Sequence, residues 1–197
     1  MRPSLLLLCI LLLFVPFLAG SAQLDSRSPI TFFIQDGKGV PGYEAGDREL
    51  AEFALNAWSR ESGNRLKFVR SATEETALVR VHWISPAEGL FGETRRIVVD
   101  GRPGAVAYIN PDTRLVGEPL AGVAAKDHLL RDTIVYLTCV HELGHAVGLQ
   151  HTDKFADIMY SFGYGGDFVE YFSRYRRQLQ FRTDIAKLSG VSAADSV

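Results

Sequence analysis

The segment His141-Glu142-Leu143-Gly144-His145-Ala146-Val147-Gly148-Leu149-Gln150-His151 decides how the rest of the chain is read. On an α-helix, residues four apart share a face, with Cβ atoms about 5–6 Å apart. His141 and His145 can therefore reach one metal ion at about 2.0–2.1 Å. Glu142 stands about 100° further round the helix, beside the ion without taking a ligand position. From there its carboxylate can bond a metal-activated water. His151 needs a different geometry. A continuous helix would carry it about 15 Å along the axis from His141, out of reach of the same ion. The chain has to leave the helix first, and Gly148 is the place, because glycine accepts the left-handed conformation that ends helices. Three imidazoles would then leave a fourth position for water, the pattern of catalytic rather than structural zinc. A bare HExxH arises by chance fairly often; three His, one Glu and one Gly at these fixed places are far more specific.

Around this segment, His128 to Val147 is apolar on nearly every side, which predicts a buried central helix. Cys139 falls about 200° round that helix from His141 and should face away from the metal as a buried thiol. Ile30 to Gln35 reads as a strand ending in an Asp36-Gly37 turn. Leu50, Phe53, Ala54, Ala57 and Trp58 recur at helical spacing, with Asp47 as the expected N-cap. Leu66 to Val69 is a short strand candidate. Ala77, Val79, Val81 and Trp83 alternate with Arg80 and His82, the pattern of a half-buried strand. Ile97 to Val99, Asp100-Gly101 and Ala105 to Ile109 read as strand, turn, strand. Pro111 to Val123 reads as loop, Gly163 to Gly166 as a glycine-rich loop, and Thr183 to Leu188 as a terminal helix capped by Thr183. This order predicts an α/β (α+β) fold with one mixed sheet: a parallel crossover first and antiparallel edges later.

At the N-terminus, Arg2 precedes an apolar run from Leu5 to Phe17, followed by Ala19-Gly20-Ser21-Ala22. That is the layout of a signal peptide over residues 1–22, which leaves residues 23–197 as one domain. Such a chain is secreted or extracytoplasmic and has no membrane span once the signal is removed. It retains one cysteine, Cys139, so no internal disulfide is expected. A net charge of -2, with 22% charged residues, gives no electrostatic case for nucleic acid. Trp58 and Trp83 fit core positions.

The active-site segment resembles the metzincin family of zinc endopeptidases. Asp157-Ile158-Met159-Tyr160, with Met159 eight residues past His151, is similar to that family's methionine turn below the metal. Met159-Tyr160 and the stretch Pro103-Gly104-Ala105-Val106-Ala107-Tyr108 resemble the matrixin group, in which the latter would be the substrate-pairing edge strand. The likeness extends over about Pro29 to Gly190, to a short form without an inhibitory propeptide cysteine or a haemopexin-like domain. Ser161 departs from it, standing where matrixins usually have proline. The histidines of the matrixin structural zinc site do not appear; His82 and His128 read as surface residues. The resemblance implies a metzincin-like catalytic domain with a mixed twisted sheet, an antiparallel edge strand and a C-terminal helix. It further implies one catalytic zinc held by His141, His145 and His151, Glu142 as general base, and peptide or protein substrates paired to Ala105, Val106, Ala107 and Tyr108. Calcium could bind through loops such as Asp100-Gly101, and a monomer is the expected state. Tyr160 and Tyr164 either line the pocket or simply pack. A zinc-binding domain without activity, and an amide hydrolase acting on a non-protein substrate such as peptidoglycan, remain open alternatives.

Overall fold

A computed structural model describes residues 24–85 and 91–192. The expected signal peptide, residues 1–22, lies outside the described residues. The described residues form one five-stranded sheet and four α-helices. In chain order these are β1 (Ile30–Ile34), α1 (Asp47–Glu61), β2 (Phe68–Arg70), β3 (Val79–Trp83), β4 (Gly92–Val99), β5 (Arg102–Ile109), α2 (Leu120–Ala124), α3 (His128–Ala146) and α4 (Phe168–Arg176). The strand order is β2-β1-β3-β5-β4. All neighbours are parallel except β4, which runs antiparallel to β5 along one edge.

That order corrects one expectation. Ala105 to Tyr108 is not an edge strand. It sits inside β5, paired to β3 on one side and β4 on the other. The reason lies in the turn that follows Val99. Asp100 and Gly101 have φ of 49° and 75°, the geometry of a two-residue hairpin turn. The turn folds β4 back along β5 and takes up its second edge. Ala105, Val106 and Ala107 are buried accordingly, and β4 carries the open edge.

α1 buries Leu50, Ala54, Leu55 and Trp58 against α3, and Trp58 Nε1 donates to the Val140 carbonyl at 2.9 Å. Asp47 does not cap α1; Gly46 occupies the N-cap position. Instead the Asp47 carboxylate is fully buried and takes both Nη groups of Arg131 on α3, while Arg131 Nη2 also donates to the Gly42 carbonyl at 2.7 Å. A charge with a buried partner outbids a cap site that solvent can satisfy. α3 is capped by Asp127, whose side chain accepts from Leu130 N at 3.1 Å. It is buried from Leu130 to Val140 without a break, as its composition predicts. Cys139 is a buried free thiol.

The C-terminal helix lies upstream of its expected place. α4 starts at its N-cap Asp167, which accepts from Glu170 N at 2.9 Å. Arg182–Asp184 is only a 3₁₀ turn, its Asp184 carboxylate taking the Gln180 and Phe181 amides at 3.0 and 2.9 Å. Thr183 therefore caps no helix. The expected loop at 111–123 holds a 3₁₀ turn at Thr113–Leu115 and the start of α2. No helix among the described residues is long and apolar enough to cross a membrane.

Breaking the Asp47–Arg131 pair from one side strands a buried charge. Asp47→Ala should lower the unfolding free energy by about 3–5 kcal/mol, read from urea midpoints, while Asp47→Leu combined with Arg131→Met should recover most of it.

Candidate metal centre

α3 ends within a turn of His145. Val147 occupies the C-cap, Gly148 follows at φ 106°, and Leu149 N reaches back to the Gly144 carbonyl at 3.0 Å. This is the break that the histidine spacing requires. It swings the chain so that His151 returns over the helix end. The His151 Nε2 atom lies 3.2 Å from His141 Nε2 and 3.1 Å from His145 Nε2.

The other ring nitrogens are tied down. His141 Nδ1 donates to the Ile158 carbonyl at 2.7 Å, and His145 Nδ1 to the Leu149 carbonyl at 3.0 Å. A carbonyl can only accept, so each of these rings carries its proton on Nδ1 and points a lone pair from Nε2 at its neighbours. Burial holds both rings neutral, His141 with a pKa lowered to about 4 and His145 also lowered. Three imidazole nitrogens gathered this closely could hold a metal ion between them. Tetrahedral bonds of about 2.0–2.1 Å would set such nitrogens about 3.3 Å apart, close to the spacing found. The donor set fits zinc.

Glu142 is almost fully buried beside this cluster. The Thr94 hydroxyl on β4 lies 2.7 Å from Glu142 Oε2 and 2.8 Å from the Glu142 carbonyl. Burial pushes the Glu142 carboxyl up to about 7, while the Thr94 hydroxyl draws it down and Glu93 raises it. Gly92, two residues before Thr94, passes so close that a Cβ there would overlap the Glu142 carboxylate. The open edge of the sheet thus presses directly on the carboxylate.

Met159 lies beneath the helix end with its sulfur against Gly144, where any side chain on Gly144 would collide with it. The turn that carries it is pinned by Thr152 N donating to the Met159 carbonyl at 2.9 Å and Ser161 N to the Thr152 carbonyl at 3.0 Å. Met159 is therefore a floor beneath the histidines, and its neighbour Ile158 supplies the carbonyl that orients His141. Tyr160 lines the cleft and donates from its hydroxyl to the Gly165 carbonyl at 2.7 Å, whereas Tyr164 is exposed and outside the lining. The cleft encloses about 560 Å³, and beyond the histidines Tyr160, Phe162, Tyr171 and Phe172 form an aromatic wall.

Ala105, Val106, Ala107 and Tyr108 do not line the cleft. Phe91, Gly92, Thr94 and Arg96 do so in their place. The sequence does carry a trace of them, an alternation through Gly92, Thr94 and Arg96, but charge masks it as a strand. His82 and His128 bond Glu74 and Glu44 at 2.7 and 2.8 Å. Glu44, His128 and Asp132 cluster closely enough to share an ion, yet Arg131 and Arg182 already neutralise Asp132. Asp100-Gly101 is a tight hairpin turn.

A family model for matrixins matches residues 26–167. The chain belongs to the matrixin family. Membership at the family level supports a zinc metalloprotease-type domain. Macrophage metalloelastase of Oryctolagus cuniculus is 31% identical over 131 residues, which cover 59% of this chain and 25% of that protein. The chain thus matches about a quarter of the length of this curated relative.

The burial of Glu142 has a signed consequence for the metal-free protein. Its folded pKa of about 7 stands above the ordinary 4.5. A raised pKa contributes stability that is fully present below the unfolded value and lost as pH rises through the folded one. Glu142→Gln escapes this loss. In chelator, the variant should match the parent near pH 4 and exceed its unfolding free energy by about 3 kcal/mol at pH 8, as urea unfolding would show. His141 titrates in both proteins and cancels from the difference.

Proposed function

We propose that this chain is a zinc-dependent endopeptidase that cleaves extended peptide or protein substrates. The reading rests on one observation above all: three Nε2 atoms converge where a buried carboxylate, steadied by a hydroxyl, stands beside them. His141, His145 and His151 would hold the zinc. When bound, the ion lowers the pKa of a water and polarises a carbonyl. Glu142 takes a proton from the attacking water and later delivers it to the leaving amine. Thr94 keeps the carboxylate aimed at the cleft, since its hydroxyl lies within hydrogen-bond distance of both the Glu142 side chain and its carbonyl and donates to one of them at a time. A zinc-binding domain without activity would need none of this around Glu142.

The substrate would add a strand to β4. The Phe91 carbonyl accepts from Asn110 N, so odd-numbered residues of β4 turn their backbone groups towards β5. Gly92, Thr94 and Arg96 then offer N–H and C=O to the open edge, beside Glu142. Main-chain bonds to these residues would hold an extended peptide, and the aromatic wall would take an apolar side chain next to the cut. We also propose that residues 1–22 direct export, that residues 23–197 act as a single monomeric domain, and that the enzyme works outside the cytoplasm.

Metal analysis of the purified chain should find one zinc per molecule, and chelation should abolish cleavage of a peptide library. Glu142→Ala should keep the metal and lose about 10²–10⁴ in kcat. A preparation that binds no zinc, or an active Glu142→Ala variant, would refute the assignment. Removing the Thr94 hydroxyl should act on turnover rather than on binding. Thr94→Val should lower kcat about tenfold with KM and zinc affinity unchanged, and Thr94→Ser should restore it.

A further inference from the structure

We propose that Arg96 is a specificity-determining residue that selects an acidic side chain on the N-terminal side of the cleaved bond; this rests on the endopeptidase reading above. Along β4 the side chains of Gly92, Thr94, Arg96 and Val98 share one face. Thr94 touches Glu142, so that face looks into the cleft. Arg96 follows Thr94 by one strand repeat, about 6.8 Å along the edge, and lines the cleft while staying exposed.

The charges around it are already committed, apart from its own. Glu93 also lines the cleft, but it alternates to the other side of β4 and its carboxylate bonds Arg95 at 2.7 Å, while Arg95 stacks over Tyr108. Glu142 is occupied by Thr94. Arg96 makes no hydrogen bond or ion pair among the described residues, and among them no other lysine or arginine lines the cleft. Among the described residues the site therefore presents one guanidinium that no carboxylate bonds, positioned where a bound strand would run.

Geometry then assigns the partner. A strand added to the open edge pairs residue for residue with Gly92, Thr94 and Arg96. The substrate residue opposite Arg96 directs its side chain to the same face, about 5.5 Å away between Cα atoms. Antiparallel pairing is the more stable arrangement. In that direction the substrate enters at the Val98 end and reaches Glu142 afterwards, so the residue facing Arg96 precedes the cut. A carboxylate there meets a fork of donors and forms a charge-assisted bond; a lysine meets a like charge.

The test uses peptides matched to one cleaved sequence and carrying Glu, Gln or Lys at each position on either side of the cut. The zinc-loaded full chain should prefer Glu to Lys by about fivefold in kcat/KM at one position before the cut. Arg96→Gln should flatten that preference and Arg96→Glu should invert it. In parallel, fluorescent versions of the same peptides are titrated into zinc-loaded Glu142→Gln, with and without Arg96→Gln. Cleavage that ignores charge, or a preference that survives Arg96→Gln, overturns the proposal while leaving the endopeptidase reading intact. A chain that cleaves nothing yet binds Glu peptides through Arg96 overturns the endopeptidase reading and, with it, the placement before a cut, leaving Arg96 only as a carboxylate contact.

Discussion

The end of α3 is the constraint on which the rest depends. Two histidines on a helix can share an ion only from one side, and a third must be brought round by ending the helix at once. Gly148, at φ 106°, does this. The two carbonyls nearest the break then take on a second task. Leu149 and Ile158 accept the Nδ1 protons of His145 and His141 and so leave both Nε2 atoms bare. Terminating the helix and preparing the ligands are one structural event. Met159 makes it rigid from below, because its sulfur fills the space that Gly144 leaves open.

A second constraint couples the site to the sheet. Glu142 is held from β4, not from its own helix, and Gly92 is bare because the carboxylate lies against it. The backbone that would receive a substrate and the group that would move its proton are thus fixed to each other. A displacement of β4 would shift both together. The buried Asp47–Arg131 pair plays the matching part at the other end of α3, tying it to the start of α1 far from the histidines.

The sequence reveals the metal-facing half of this arrangement well. The histidine spacing, the glycine break and the apolar flanks of α3 all follow from helix geometry, and α3 falls within a residue of its expected bounds. The other half is hidden for physical reasons. Gly92 to Arg96 reads as polar and charged, because one face of β4 meets solvent and the other a polar cleft, so no apolar alternation marks the strand. Ala105 to Tyr108 is apolar and conspicuous for the converse reason: it is interior. Asp47 has the residue type and position of a cap, but its true partner lies 84 residues away, beyond any local pattern. At the C-terminus the competing contact is local instead: Asp184 turns upstream to accept from Gln180 and Phe181, and only a 3₁₀ turn forms where a helix is expected.

An open strand edge beside a catalytic group carries a hazard, because it can pair with any extended chain, including another copy of itself. β4 answers with charge. Glu93, Arg95 and Arg96 sit in its middle, and Val98 is the large apolar side chain it exposes. Two copies of β4 laid antiparallel would bring guanidinium groups near one another, a repulsion that a peptide with a carboxylate would convert into attraction. The same residues can therefore keep the edge free and choose what occupies it. On the proposed reading, the strand that would receive the substrate is therefore also the one whose composition least resembles a strand.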